Sequence, residues 1–129
     1  RSRGLGDVYK RQDLIKAYKG IAVSSGNSFV HETESQVILN GSYNINFTMD
    51  LVLKDTGLFD ELAKKLNASL EISPKIVDIF KDGQKKYGSR AWSSMIVKRM
   101  EDINQINFRA EGFPEELVDN EPEKRGHEI

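Results

Sequence analysis

Apolar residues recur at helical spacing along most of the chain, and turn-forming residues separate the resulting segments. Residues 13–23 have the pattern of a short amphipathic helix. The run Ser24–Ser28 interrupts it, and its serine and asparagine side chains can cap the helix that follows. That second helix is predicted over Phe29–Leu39, with Gly41 at its exit.

The middle of the chain predicts a long third helix and a fourth. The third runs from about Thr48 to Leu66, with Asn46 or Thr48 as its N-cap. Ser73-Pro74 indicates the start of the fourth, because a capping hydroxyl is followed by proline at the first helical position. Gly88 is the expected C-cap of this fourth helix.

A fifth helix, capped by Ser89, is indicated by apolar residues at helical spacing: Trp92, Met95, Ile96, Met100 and Ile103. No segment shows the alternation of apolar and polar residues that is typical of a half-buried strand. We therefore predict an all-α fold, a bundle of about five helices.

The third helix has one broad apolar arc on a helical wheel drawn at about 100° per residue from Phe47. Asp55 falls inside this arc, and no basic residue lies three or four positions from it. A charge on an inward face must be paired or hydrogen-bonded, so Asp55 is expected to find a partner on another helix, a second subunit or a ligand. The structural alternatives are that it caps another helix or pairs with Arg90, Arg99 or Arg109.

Lys54 falls at the edge of the same arc, about two turns after Phe47. Its simplest interpretation is a surface ion pair, because Asp50 lies four residues before it in the favourable orientation. From spacing alone, neither Lys54 nor Asp55 identifies a function.

Composition narrows the classes of function. The chain has 129 residues, 19 basic and 20 acidic side chains and a formal net charge of −1, so no nucleic acid or anionic membrane partner is indicated. It has no cysteine, and His31 and His127 are far apart, so we expect no metal site. No apolar run approaches the roughly 20 residues of a membrane-spanning helix. We expect a cytoplasmic protein with one folded domain.

The two ends differ from the body. Residues 1–12, RSRGLGDVYKRQ, resemble the translation of a sequencing adaptor, and we expect a scar that interrupts a longer reading frame. The alternative is a short basic arm for an anionic partner. The helical domain is predicted over 13–103. Residues 104–129 form a polar tail, in which Phe108, Phe113 and Leu117 can dock on the body.

One pattern resembles a known family. Gly41-x-Tyr43-x3-Phe47-x3-Leu51-x2-Lys54-Asp55-x2-Leu58 is similar to the C-terminal helical domain of the β-hydroxyacid dehydrogenases. Ser24-Ser25-Gly26 upstream and Pro74 and Tyr87-Gly88 downstream extend the likeness. The family includes 3-hydroxyisobutyrate dehydrogenase, tartronate semialdehyde reductase and glyoxylate/succinic semialdehyde reductase. The resemblance runs from about Leu14 to Glu101.

The resemblance implies a site shared between two domains. It assigns Lys54 to the cofactor, NAD or NADP, and Phe47 and Asp55 to the substrate side of the cleft. The catalytic lysine and the glycine-rich phosphate loop would lie upstream of this chain, which alone would be inactive and would expose apolar surface. The expected substrate is a small 3-hydroxy acid or semialdehyde, and the expected parent is a homo-dimer or tetramer. The alternative is a non-enzymatic helical module for oligomerisation or protein interaction.

Overall fold

The computed structural model describes residues 13–119. This part of the chain is all-α, as predicted, and contains five α-helices and one 3₁₀ helix. The α-helices are α1 (Leu14–Ala22), α2 (Phe29–Asn40), α3 (Met49–Lys65), α4 (Ser73–Tyr87) and α5 (Lys98–Asn104); the 3₁₀ helix is Ser93–Val97. The predicted scar, and residues 120–129 of the predicted tail, lie outside the described residues. Within 13–119, no helix is both long enough and apolar enough to cross a membrane.

The first two helices begin and end where local chemistry predicts. Asp13 caps α1, since its carboxylate accepts hydrogen bonds from the N–H groups of Ile15 and Lys16. Ser28 caps α2 by accepting the His31 N–H at 3.0 Å. Gly41 ends α2 with φ of 96°, a left-handed conformation that glycine adopts without steric penalty.

The fourth helix starts as predicted, but its serine has another role. Pro74 lies in the first turn of α4, as its fixed φ and missing N–H favour. The Ser73 hydroxyl does not cap the helix; it donates to Asp60 Oδ1 at 2.5 Å and so ties α4 to α3. Gly88 is the C-cap, as predicted.

The prediction of one continuous last helix capped by Ser89 was wrong. The segment before Ser93 is instead paired with the start of α3: the Ser89 carbonyl accepts the Asp50 N–H at 3.1 Å, and the Ala91 carbonyl accepts the Met49 N–H at 2.9 Å. Because these carbonyls are used across the fold, they cannot serve a helix. The chain then forms a 3₁₀ turn before α5 begins at Lys98.

The core is small, and its buried apolar side chains come from α2, the loop that follows it and α3. α3 packs on α4, α1 packs on α2, and the 3₁₀ helix contacts α2, α4 and α5. The buried apolar side chains are Val37, Leu39, Tyr43, Met49 and Ala63. Residues 105–119, hereafter the C-terminal segment, have no helix but dock on this body: the Ala110 N–H donates to the Leu39 carbonyl, and the Phe113 ring meets Tyr18 edge-on at 5.2 Å.

Candidate functional site

α3 uses one face for packing and leaves another uncovered. Met49 and Ala63 are buried, and Thr56 on the same side is half-buried. One edge of the apolar arc predicted to face inward is covered, since Ala63 is buried and Leu51 and Val52 are half-buried, but the rest of the arc is exposed. Its main members, hereafter the apolar face of α3, are Leu58 (59% exposed), Phe59 (54%), Leu62 (53%) and Leu66 (69%). The wheel located the apolar residues correctly, but the buried side of the helix includes only one edge of the predicted arc.

Lys54 and Asp55 form an ion pair beside this face. Lys54 Nζ lies 3.2 Å from Asp55 Oδ1, and their side chains are 61% and 56% exposed. The prediction that Asp55 is an inward charge without a local partner was therefore wrong, because its neighbour in sequence supplies the partner. An exposed pair of this kind contributes about 0–1 kcal/mol, so the ammonium can change partner at little cost.

The other partners considered from the sequence are engaged elsewhere. Asp50 does not pair with Lys54; it accepts hydrogen bonds from the Thr48 hydroxyl and from Arg90, whose Nη1 lies at 3.3 Å. The Thr48 hydroxyl, and then Arg90, hold the pKa of Asp50 below its usual value. Arg99 pairs with Asp82, and Arg109 pairs with Glu101. Lys54 and Asp55 are thus paired with each other on an open surface.

Phe47 precedes α3 and is not helical. It lies one residue before the N-cap Thr48, so its place on the helical wheel was an extrapolation beyond the helix. Its carbonyl accepts the Ser93 N–H at 2.8 Å, and Thr48 forms an antiparallel bridge with Trp92. The Phe47 side chain is 36% exposed. Backbone pairing with residues 91–93 therefore fixes the position from which the Phe47 ring projects at the surface.

Arg90, one of the alternative partners predicted for Asp55, contacts Asp50 instead. Its guanidinium, with a side chain 78% exposed, makes this contact at the N-terminal end of α3. This end also bears Phe47. The contact spans 40 residues, so no helical spacing could have indicated it.

Comparison with known proteins supports the resemblance. A family model described as NAD-binding of NADP-dependent 3-hydroxyisobutyrate dehydrogenase matches residues 12–100. The chain belongs to this family. A comparison with curated proteins found no match. The matched region contains Phe47, Lys54 and Asp55, and the relationship to NAD(P)-dependent oxidoreductases is therefore established at the level of the family.

A cleft of about 590 Å³ lies between the start of α1 and residues 105–111, but Lys54, Phe47 and Asp55 do not line it. These three residues lie instead on or beside an exposed helix. An exposed ammonium in a weak ion pair, next to exposed apolar side chains, fits one wall of a site that a second surface completes.

Proposed function

We propose that this chain forms the helical wall of the active-site cleft in an NAD(P)-dependent oxidoreductase that acts on a small 3-hydroxy acid or semialdehyde. Lys54 contacts the cofactor, and Phe47 and Asp55 line the substrate side. The observation that carries this proposal is the exposed Lys54–Asp55 pair beside an uncovered apolar face, within the region that matches the family.

The nicotinamide, when bound, supplies the hydride chemistry. The residues of this chain bind, orient and exclude water. Lys54 can exchange Asp55 for a polar or anionic group of the cofactor, because the exposed ion pair that it leaves is weak. Asp55, adjacent in sequence, then either orients the ammonium or accepts a hydrogen bond from a hydroxyl of the substrate.

The second wall comes from a dinucleotide-binding domain. The 129 residues contain no G-x-G-x-x-G phosphate loop, which such a domain needs. The family resemblance assigns the catalytic lysine to the long helix that links such a domain to this one. Closure of the two surfaces covers the apolar face of α3 and removes water from the reacting groups. The chain alone is accordingly expected to lack dehydrogenase activity.

The test compares two lysines of α3 in a polypeptide that carries this chain together with a dinucleotide-binding domain, hereafter the two-domain protein. Lys54→Ala is expected to weaken NADPH or NADH binding by about tenfold or more, equivalent to about 1.4 kcal/mol. Its melting temperature should not change, since the ion pair is exposed. Lys64→Ala, at the exposed end of the same helix, is the control and should bind the cofactor normally. Unchanged affinity in Lys54→Ala would contradict the proposal.

A helical oligomerisation or protein-interaction module is the second candidate. The exposed apolar face of α3 favours it, because large uncovered apolar patches are typical of protein contacts. The reading frame upstream separates the two candidates. A strand followed by G-x-G-x-x-G supports the oxidoreductase, whereas its absence supports the interaction module.

A further inference from the structure

Tyr43 forms a closed, hydrogen-bonded group with Glu101 and Arg109, which lie 58 and 66 residues later in the chain; this group is hereafter the Tyr43 cluster. Glu101 of α5 is 2% exposed and accepts hydrogen bonds from the Tyr43 hydroxyl at 2.5 Å, the Phe108 N–H at 2.8 Å and Arg109 Nη1 at 2.7 Å. Arg109 Nη2 also donates to the Tyr43 hydroxyl at 2.7 Å. Each member therefore contacts both of the others, and both oxygens of the buried carboxylate are hydrogen-bonded.

The charges in this cluster are balanced at neutral pH. Burial acts to raise the pKa of Glu101, but hydrogen bonds from Tyr43, the Phe108 N–H and Arg109 outweigh it and lower the pKa below its usual value. Burial, and then the bond to Glu101, raise the pKa of Tyr43 to about 12. Tyr43 is thus a neutral donor between a carboxylate and a guanidinium.

The cluster joins the C-terminal segment to the loop of residues 41–47, hereafter the Phe47 loop. Two more contacts bind the same pair of segments: the Ser42 hydroxyl donates to the Glu115 carbonyl at 2.5 Å, and the Leu117 N–H donates to the Asn44 carbonyl at 3.1 Å. Gly41 belongs to the contact as well. A Cβ at this position would overlap the Arg109 side chain.

The Phe47 loop has a backbone that needs such support. Tyr43 and Asn46 are not glycines, yet they adopt left-handed conformations with φ of 55° and 56°. Conformations of this kind cost energy and persist only where the surroundings determine them. Ser94 adds one more restraint by donating to the Tyr43 carbonyl at 2.7 Å. The loop ends at Phe47, directly before the N-cap of α3.

We infer that the C-terminal segment is a working part of the site: through Arg109 it fixes the Phe47 loop, and so places Phe47 and the first turn of α3. Arg109 is a positioning residue, since it acts through Tyr43 and contacts none of the candidate site residues. The segment lies beyond the region that matches the family, which ends at residue 100. The consequence for binding rests on the proposed function.

Arginine is required at position 109 because two groups must be reached at once. One terminal nitrogen of its guanidinium contacts Glu101 and the other contacts the Tyr43 hydroxyl. The planar fork of arginine spans the two acceptors, whereas the single ammonium of lysine does not. Arg109→Lys therefore keeps a positive charge near Glu101 and loses the contact with Tyr43.

The first experiment measures amide hydrogen exchange along the whole 129-residue chain. In Arg109→Lys, the amides of Tyr43, Met49 and Ser93 should exchange at least about tenfold faster, because local opening exposes them. Amides in the middle of α4 should exchange as in the wild type. Tyr43→Phe, which removes only the hydroxyl, should show the same local pattern and covers the case in which the arginine variant does not fold.

Arg99→Lys is the matched control. Arg99 also forms an ion pair, at 2.7 Å to Asp82 of α4, and it makes no hydrogen bond or ion pair with the Phe47 loop. This variant should leave the exchange of Tyr43, Met49 and Ser93 unchanged. The inference is overturned if Arg109→Lys accelerates exchange evenly over all helices, or if the Phe47 loop exchanges no faster than in the control.

The second experiment measures steady-state kinetics of the two-domain protein. Arg109→Lys should raise the KM for the hydroxy acid by about tenfold, as misplacement of a binding residue does, with a smaller change in melting temperature. A normal KM together with fast exchange of the Phe47 loop would overturn the link between loop and site. Failure of Lys54→Ala to weaken cofactor binding would count against the proposed function instead, and the exchange experiment would still decide the role of Arg109.

Discussion

Gly83 of α4 lies against Ile96 of the 3₁₀ helix so closely that a Cβ on the glycine would come within 2.7 Å of Ile96 Cδ1. The same Cβ would stand 3.3 Å from the sulfur of Met49, the fully buried residue at the start of α3. Three elements therefore meet at a position that has no space for a side chain. This contact sets how closely α4 can approach the 3₁₀ helix and, through Met49, the start of α3.

The replacement Gly83→Ala is expected to lower the free energy of unfolding by about 1–3 kcal/mol, the usual cost of overpacking a core. This loss should exceed the gain from the better helix propensity of alanine. Gly57→Ala is the control, because a Cβ at this position in α3 meets nothing within 4 Å. That variant should be more stable by about 0.5–1 kcal/mol. Urea denaturation measures both, and equal effects of the two variants would contradict the close contact.

Acid should reduce the contribution of Glu101 to the free energy of unfolding. Its pKa in the fold is below the ordinary value of 4.5, so the carboxylate stabilises the protein fully above that pH, and the contribution is lost as pH falls through the lower folded pKa. Glu101→Gln should lower the free energy of unfolding by about 2 kcal/mol at neutral pH, as expected for the loss of hydrogen bonds to a charged group. The difference between variant and wild type should shrink in acid. A difference that is constant with pH would contradict this role.

Alkali should also destabilise the Tyr43 cluster, because it ionises the Tyr43 phenol. Tyr43 has a pKa of about 12, against an ordinary value of 10.0, so the fold favours the neutral phenol. The stability that this provides is present below pH 10 and is lost as pH rises from about 10 to 12. Ultraviolet titration of tyrosinate should show a late step that Tyr43→Phe reduces. Tyr87, whose pKa is also about 12, and Tyr18, whose pKa is raised mainly by burial, should account for the late absorbance that remains.

The apolar face of α3 should cause self-association of the chain on its own. Leu62→Glu places a charge in the middle of that face and should lower the concentration-dependent association seen by sedimentation velocity. Its melting temperature should change little, because Leu62 is already half-exposed. Val23→Glu, at an exposed apolar residue at the end of α1, is the control for a general effect of charge. An equal decrease in both variants would show that association does not use this face.

The first four helices could be predicted from the sequence because local chemistry determines where they begin and end. Ser28 as a cap, Gly41 and Gly88 as exits and Pro74 as a start each act within one helical turn, and the structure confirms all four. The last helix was predicted wrongly because the carbonyls of Ser89 and Ala91 bond to α3, a contact that no short window of sequence contains.

The candidate site was predictable only in part. The spacing of Phe47, Lys54 and Asp55 indicated the family, and the family is confirmed; the individual roles of these residues remain predictions. The wheel overestimated how much of the apolar arc of α3 is covered, since apolarity shows what a helix can bury and not what packs on it. The Asp50–Arg90 contact, formed across 40 residues, could not be found from spacing.

The sequence by itself determined the first four helices, the all-α class and the family, because caps, breakers and apolar period act over short distances and a motif is read residue by residue. Tertiary structure alone decided that Asp55 pairs with Lys54 on an open surface, and that Tyr43, Glu101 and Arg109 meet. Tyr43 and Arg109 are 66 residues apart, and their contact exists only once α2, α5 and the C-terminal segment are packed together.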